Sequence, residues 1–222
     1  MIIGSGLIAK SLQHLDTENT VYFASGVSNS LETRNSEFER ELSLLRTTVQ
    51  NNKNSRLVYF STLSVHDQSK QTSPYVLHKL QAEDLIKNIS ENYLILRIGN
   101  IVGPGGNPNT LFNFLKNRIS GKTLFTLHKK ARRILVDIDD ISRIFKSEYK
   151  HLNNRTVNFS YPYYYSMNEI IEAMEEQLGT AAIYQEKEEG DFYPVAFDDS
   201  VTQYYSEINA ADYLKLLIKK YL

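Results

Sequence analysis

The sequence predicts an α/β protein built on a parallel sheet of about five to seven strands, with helices on both faces. Three observations carry this. Apolar strand-like runs alternate with helix-like runs from end to end, and strands separated by helices pair in parallel. The strand-like run 56–62 is rich in Val, Tyr and Phe, the residue types that suit a pleated, half-buried surface. The length, 222 residues, suffices for one sizeable core and is short for two ordinary domains.

Each element follows from local pattern. Met1-Ile2-Ile3 is a short apolar strand, and 5–15 reads as a helix with Leu7, Ile8, Leu12 and Leu15 on one face. The next strand is 20–25. Helix 36–50 carries Phe38, Leu42, Leu45 and Val49 at helical spacing, and Glu37, Glu39 and Glu41 suit its N-terminal half. After strand 56–62, Pro74 opens a helix that runs to Ile89; proline is tolerated at the first helical position. Strand 93–98, helix 110–119, strand 133–138, a short helix to Tyr149 and strand 155–160 follow. Helix 166–178 is closed by Gly179. The chain ends in helix 210–221, with Leu214, Leu217, Ile218 and Tyr221 on one stripe.

Composition narrows the function classes. Lys plus Arg number 25 and Asp plus Glu 26, a formal net charge of -1. A protein that coats nucleic acid carries a basic excess, so no nucleic-acid partner is expected. No apolar run approaches the roughly 20 residues of a membrane helix, and the N-terminus lacks the features of a signal peptide. There is no cysteine, so disulfides and thiolate metal sites are excluded. The expectation is a cytoplasmic protein without a metal. His14, His66, His78, His128 and His151 show no metal-ligand spacing and read as surface or loop residues.

Parallel sheets bind ligands beyond the carboxyl ends of their strands. After the first strand the chain reads Gly4-Ser5-Gly6-Leu7-Ile8-Ala9. This is a G-x-G-x-x-A turn in the strand-to-helix context that a dinucleotide fingerprint requires. The glycines allow close approach to a pyrophosphate, and the helix N-terminus offers it free N–H groups. A tight turn that serves packing alone is the other reading. Tyr75 and Lys79, four residues apart, share one helix face, and Thr62 ends the strand before them. An ammonium beside a phenol favours the phenolate, so such a tyrosine can exchange a proton with a hydroxyl or carbonyl. A solvated amphipathic helix would show the same spacing.

Further motifs give these residues a context. Leu57-Val58-Tyr59-Phe60-Ser61-Thr62-Leu63-Ser64-Val65, Ser73-Pro74-Tyr75-Val76-Leu77-His78-Lys79, Leu96-Arg97-Ile98-Gly99-Asn100-Ile101-Val102-Gly103-Pro104-Gly105 and Arg133-Ile134-Leu135-Val136-Asp137 occur in this order. Together they resemble the short-chain dehydrogenase/reductase superfamily, in its extended branch of NAD-dependent epimerases and dehydratases acting on nucleotide sugars. The resemblance covers most of the chain. It implies a Rossmann-like domain over residues 1–222 that binds NAD or NADP, with an interleaved substrate lobe from about 105–132 and 161–222. It implies Thr62, Tyr75 and Lys79 as catalytic residues, with Ser61 and Ser64 as substitutes for Thr62 if the register shifts. Gly4, Ser5, Gly6, Leu7, Ile8, Ala24, Ser25, Gly26 and Lys79 would contact the dinucleotide, and Ser64, Asn100 and Arg133 the substrate. Asn100 could instead cap the turn before Gly103, and Arg133 could pair with Asp137 or Asp139. Asp139 and Asp140 read as helix caps.

The activity implied is hydride transfer on a nucleotide sugar, as epimerase, dehydratase or reductase, in cell-surface polysaccharide synthesis. A non-catalytic protein on the same scaffold, binding a sugar nucleotide or a protein partner, is the alternative. The resemblance also implies a homodimer through helices 36–50 and 74–89, with Leu44, Val49, Leu85 and Ile89 as contact residues unless they face the sheet. Tyr161-Pro162-Tyr163-Tyr164-Tyr165 reads as a packed loop or a stacking platform. Lys129, Lys130, Arg132 and Arg133 form a basic cluster suited to phosphate oxygens.

One stretch departs from the family pattern. Residues 13–20 alone separate the first helix from the strand at Val21, where the family has two further strand-helix units if that strand is the fourth. If it is the second, the later units are missing. Either way the acid that holds the adenine ribose is absent, since no Asp or Glu follows Phe23 until Glu32.

Overall fold

The computed structural model describes residues 1–15, 18–190 and 192–222. In chain order the elements are β1 (Ile2–Ile3), α1 (Leu7–Ser11), β2 (Thr20–Phe23), α2 (Asn35–Asn51), β3 (Arg56–Thr62), α3 (Pro74–Ile89), β4 (Tyr93–Ile98), β5 (Asn100–Val102), α4 (Leu111–Ser120) and β6 (Phe125–His128). They continue with β7 (Arg132–Arg133), β8 (Leu135–Asp137), α5 (Ile138–Lys146), β9 (Arg155–Phe159), β10 (Tyr165–Ser166), α6 (Met167–Leu178), β11 (Tyr184–Lys187), α7 (Asp199–Tyr204) and α8 (Ala210–Tyr221). The chain divides into two compact units, residues 1–98 with 138–159, and residues 99–137 with 160–222.

The first unit holds a five-stranded sheet in the order β1-β2-β3-β4-β9, parallel throughout. Side chains alternate across a strand, and the alternation builds two apolar layers. Val21, Phe23, Leu57, Tyr59 and Ile95 face one way and pack with Leu45 and Val49 of α2 and Ala82 and Ile86 of α3. Tyr22 and Phe60 face the other way and meet Phe145 of α5, with ring centroids 5.3 and 6.1 Å apart. The sheet is thus Rossmann-like, with helices on both faces and five strands.

β1 is the outermost strand of this sheet. The doubly wound order 3-2-1-4-5-6 places two strands beyond the first, and here none lies there among the described residues. A run of five strands stepping consecutively away from β1 matches only the other half of that order. β2 therefore stands in the place of a fourth strand, and the absent units are the second and third.

Several boundaries differ from the sequence expectation. α1 is shorter because, after Ser11, the backbone closes i to i−3 bonds, Gln13 to Lys10 and Leu15 to Leu12. The strand expected at 133–138 is broken at Ile134, since β7 pairs with β10 and β8 with β5. Asp139 and Asp140 lie inside the first turn of α5 rather than before it. Val49 is core, with Leu44 and Leu85 packed against the same cluster, whereas Ile89 is exposed. No helix among the described residues is long and apolar enough to cross a membrane.

The second unit is built from strand pairs β5·β8, β6·β11 and β7·β10 with α4, α6, α7 and α8. α6 opens with a capping box: Ser166 Oγ accepts from Glu169 N–H at 3.1 Å and Glu169 Oε2 accepts from Ser166 N–H at 2.7 Å. It stops at Gly179, which takes the left-handed conformation (φ 62°). α8 is tied to buried Asp137, whose carboxylate accepts from Lys220 Nζ (2.7 Å) and Tyr221 Oη (2.6 Å). The tyrosine-rich segment is packed: Tyr161 stacks on Tyr213 at 4.2 Å, and the Tyr161 and Tyr165 hydroxyls donate to the Ile208 and Ala210 carbonyls.

Candidate active site

The carboxyl edge of the first unit's sheet carries the turn after β1, the loop after β2 and the end of β3. Gly4 has φ 122°, and a Cβ there would lie 2.3 Å from the Ala24 carbonyl oxygen, so the two loops touch through backbone. Gly6 precedes α1 with no side-chain cap, and a Cβ on it would meet nothing within 4 Å. The N–H groups that open this helix are thus approached freely. Ala24 N–H donates to the Ile3 carbonyl, and the Ser25 carbonyl accepts from Arg40 at 3.4 Å.

Thr62 ends β3, and its Oγ1 accepts from Ser64 N–H at 3.1 Å. Ser64 lies in a single 3₁₀ turn, Leu63–His66. Ser61, the alternative to Thr62, is buried and donates to Glu83 Oε1 at 2.6 Å, and Arg97 grips that carboxylate bidentately (2.9 and 2.6 Å). The Ser61 hydroxyl is committed to this packing, while Thr62 and Ser64 follow it at the end of β3.

α3 begins with Pro74, and its buried stripe runs through Tyr75, His78, Lys79, Ala82 and Ile86. A lysine on such a stripe needs a partner. Glu41 of α2 supplies it: Lys79 Nζ donates to Glu41 Oε1 at 2.9 Å and to Tyr59 Oη at 3.1 Å. The ammonium lies 5.2 Å from the Tyr59 ring centroid and 5.9 Å from that of Tyr75. Glu41 also accepts from Tyr59 Oη (2.6 Å), His78 Nε2 (2.8 Å) and Val27 N–H (2.6 Å). Burial pushes its carboxyl upward. The Lys79 charge and the bonds from His78, Tyr59 and Val27 outweigh this and hold the group at about 2. Burial pushes Lys79 down against the pull of Glu41 and Glu83, and burial together with Glu41 raises the Tyr59 phenol far above its usual range.

His78 is buried, not a surface residue, because it stacks on Phe38 at 4.6 Å and serves Glu41. His66 is half-buried, with Nε2 3.1 Å from Asn158 Oδ1. Gly26 closes over the ion pair: a Cβ there would lie 2.7 Å from Lys79 Nζ and 2.9 Å from Glu41 Oε1. Sequence reasoning missed Glu41, Tyr59 and His78. The available signal was Glu41 on the apolar stripe of α2, three residues after Phe38 and four before Leu45.

Asn100 and Arg133 belong to the second unit. Asn100 is on β5, and its Nδ2 donates across to the Ile134 carbonyl at 3.0 Å, so it does not cap a turn through that group. Arg133 is on β7, and its Nη1 donates to the Arg132 carbonyl. Within the basic cluster, Lys129 pairs with Glu186 (3.2 Å) and Glu188 (2.9 Å) from the β11 side. Among the described residues there is no group of three or more His, Asp or Glu that could hold a metal.

Residues 8–159 match the NAD dependent epimerase/dehydratase family. The chain belongs to that family. No curated protein sequence matches it significantly. Solved structures do. MoeE5, in complex with UDP-glucuronic acid and NAD, aligns over 98% of this chain and 84% of its own, at 19% identity and a TM-score of 0.73. UDP-glucuronic acid 4-epimerase from Bacillus cereus aligns over 97% and 78%, at 19% identity and a TM-score of 0.72. UDP-glucose 4-epimerase from Thermus thermophilus, in complex with NAD, aligns over 91% and 77%, at 15% identity and a TM-score of 0.69. At these identities the likeness establishes the fold.

Proposed function

We propose that the chain is a nicotinamide-dependent epimerase, dehydratase or reductase of a nucleotide sugar, serving cell-surface polysaccharide synthesis in the cytoplasm. The observation that carries this reading is the pairing of Tyr75 and Lys79 on the buried face of α3, with the Lys79 ammonium 5.9 Å from the Tyr75 ring. NAD or NADP, if bound, would supply hydride-transfer chemistry at a sugar carbon. Tyr75 exchanges the proton of the reacting sugar oxygen. Thr62 hydrogen-bonds that oxygen, and Lys79 holds the ribose next to the ring. Ser64, Asn100 and Arg133 take the substrate, the latter two on its phosphates.

The chain fits the cofactor at one end. Open N–H groups before α1 and the close-packed Gly4 turn suit the pyrophosphate, with Ser5, Gly6, Leu7 and Ile8 along it and Ala24, Ser25 and Gly26 beside it. Among the described residues no strand lies beyond β1 to present an acid to the adenine ribose. This supports a second reading, a non-catalytic sugar-nucleotide or partner-binding protein. A screen of nucleotide sugars with NAD and NADP, comparing wild type with Tyr75→Phe, separates the two. Turnover that falls at least a hundredfold in the variant supports catalysis. Ligand binding without turnover in wild type supports the second reading, and undiminished turnover in Tyr75→Phe removes Tyr75 from the mechanism. A homodimer through α2 and α3 is part of the proposal. Leu77, 52% exposed on α3, and Ile89 are its available apolar contacts, and a monomeric mass by light scattering would rule it out.

A further inference from the structure

We propose that Glu41 is the positioning residue of Lys79, holding its ammonium charged and in one fixed orientation beside Tyr75; this rests on the function proposed above. Glu41 has no exposed surface, and its two oxygens accept from four donors that come from three places in the fold. Oε1 takes Tyr59 Oη of β3 and Lys79 Nζ of α3, and Oε2 takes His78 Nε2 of α3 and Val27 N–H from the loop after β2. Together these four bonds fix the carboxylate in place, so it acts as a rigid anchor for the flexible lysine stem.

Packing alone does not ask for this arrangement. A buried ion pair is commonly no more stable than apolar residues of the same volume, and the neighbouring positions of α2, β3 and α3 include the apolar cluster of Leu45, Val49, Tyr59, Ala82 and Ile86. What the carboxylate adds is a fixed direction. Of the three ammonium protons, one points to Glu41 and one to Tyr59, which leaves a single donor in a single orientation. The Tyr59 and Tyr75 rings flank it, and Gly26 leaves no room for retreat on its own side. The charged and titratable groups around the ammonium are Glu41 and Arg40 from α2, Tyr59 from β3, and Tyr75, His78 and Glu83 from α3. Without Glu41 the buried lysine would lose its nearest counter-charge and shed its proton or swing away.

The test reads Lys79 directly, without substrate. In protein labelled with ¹⁵N-lysine, the side-chain ammonium should give a slowly exchanging signal near neutral pH that Lys79→Met abolishes. Glu41→Gln should speed its exchange at least tenfold or remove it, and should weaken dinucleotide binding at least tenfold by calorimetry. Should Glu41→Gln fail to fold, Gly26→Ala gives a second reading, since its methyl would press on the Lys79 ammonium and the Glu41 carboxylate and on no backbone, forcing the pair to shift. Its signal should also exchange at least tenfold faster. No protected signal in wild type, or unchanged exchange in the variant that folds, overturns the proposal. Absence of turnover in wild type with every nucleotide sugar overturns the function instead and leaves the lysine signal to be read independently.

Discussion

Gly4 is the residue whose identity the local backbone dictates most strictly. Its φ of 122° disfavours any side chain, and a methyl would sit 2.3 Å from a backbone oxygen that cannot move away cheaply. Gly4→Ala should lower stability by about 2 kcal/mol or more, read as the urea midpoint. Glu41 predicts an acid-side loss. Its carboxyl, near 4.5 when unfolded, is held at about 2 in the folded chain. A depressed folded pKa gives stability that is complete above pH 4.5 and is lost as pH falls toward 2. The loss amounts to about 3 kcal/mol at most. Urea midpoints between about pH 6 and 2.5 should fall in wild type and fall less in Glu41→Gln. Tyr75 and Lys79 were legible because an i, i+4 pair after a strand is a local pattern. Glu41 was not, because an acid in the first half of a helix reads equally well as a partner of the helix dipole. Its buried role depends on Lys79, 38 residues later.

At the scale of elements, legibility follows how local the stabilising contacts are. β3, α3 and β4 begin and end where their sequence patterns do, since their apolar periodicity coincides with burial on the sheet. β11 was invisible: Tyr184-Gln185-Glu186-Lys187 is exposed throughout, and its partner strand Phe125–His128 is far away in sequence. β5 and β7 are shorter still and are defined by partners rather than by composition. α6 is the opposite case, specified at both ends by Ser166, Glu169 and Gly179. Ser166→Ala removes one arm of its capping box and should cost about 1 kcal/mol, measured by thermal or urea unfolding, with the fold retained.

For the whole molecule, the absent second and third strands were legible as a spacing, since residues 13–20 cannot hold two strand-helix units. Which units were absent was not legible, because strand order is a property of pairing and no residue type encodes it. On the function proposed above, the consequence is a cofactor site weighted to one end. Each charge-assisted hydrogen bond missing at the adenine ribose removes about 1.5–3 kcal/mol, or roughly tenfold in affinity or more. No Asp or Glu follows Phe23 before Glu32 to repel a 2′-phosphate. Calorimetric titration should therefore find weak binding with little preference between NAD and NADP. Tight and strongly NAD-selective binding would falsify this reading of the N-terminal half.

The two-residue outer strand has a kinetic consequence as well. β1 is held to the sheet by pairing on one side only, with the Tyr22 and Ala24 amides donating to the Met1 and Ile3 carbonyls. Strands so lightly paired open locally without global unfolding. Deuterium should enter the Tyr22 and Ala24 amides about tenfold or more faster than the amides buried between β3 and β4. The turn that follows β1 is the one proposed to meet the pyrophosphate, so saturating dinucleotide should slow that entry selectively. The observed affinity would then include the work of closing this edge, and variants that stiffen the β1–β2 pair would bind more tightly without touching the ligand.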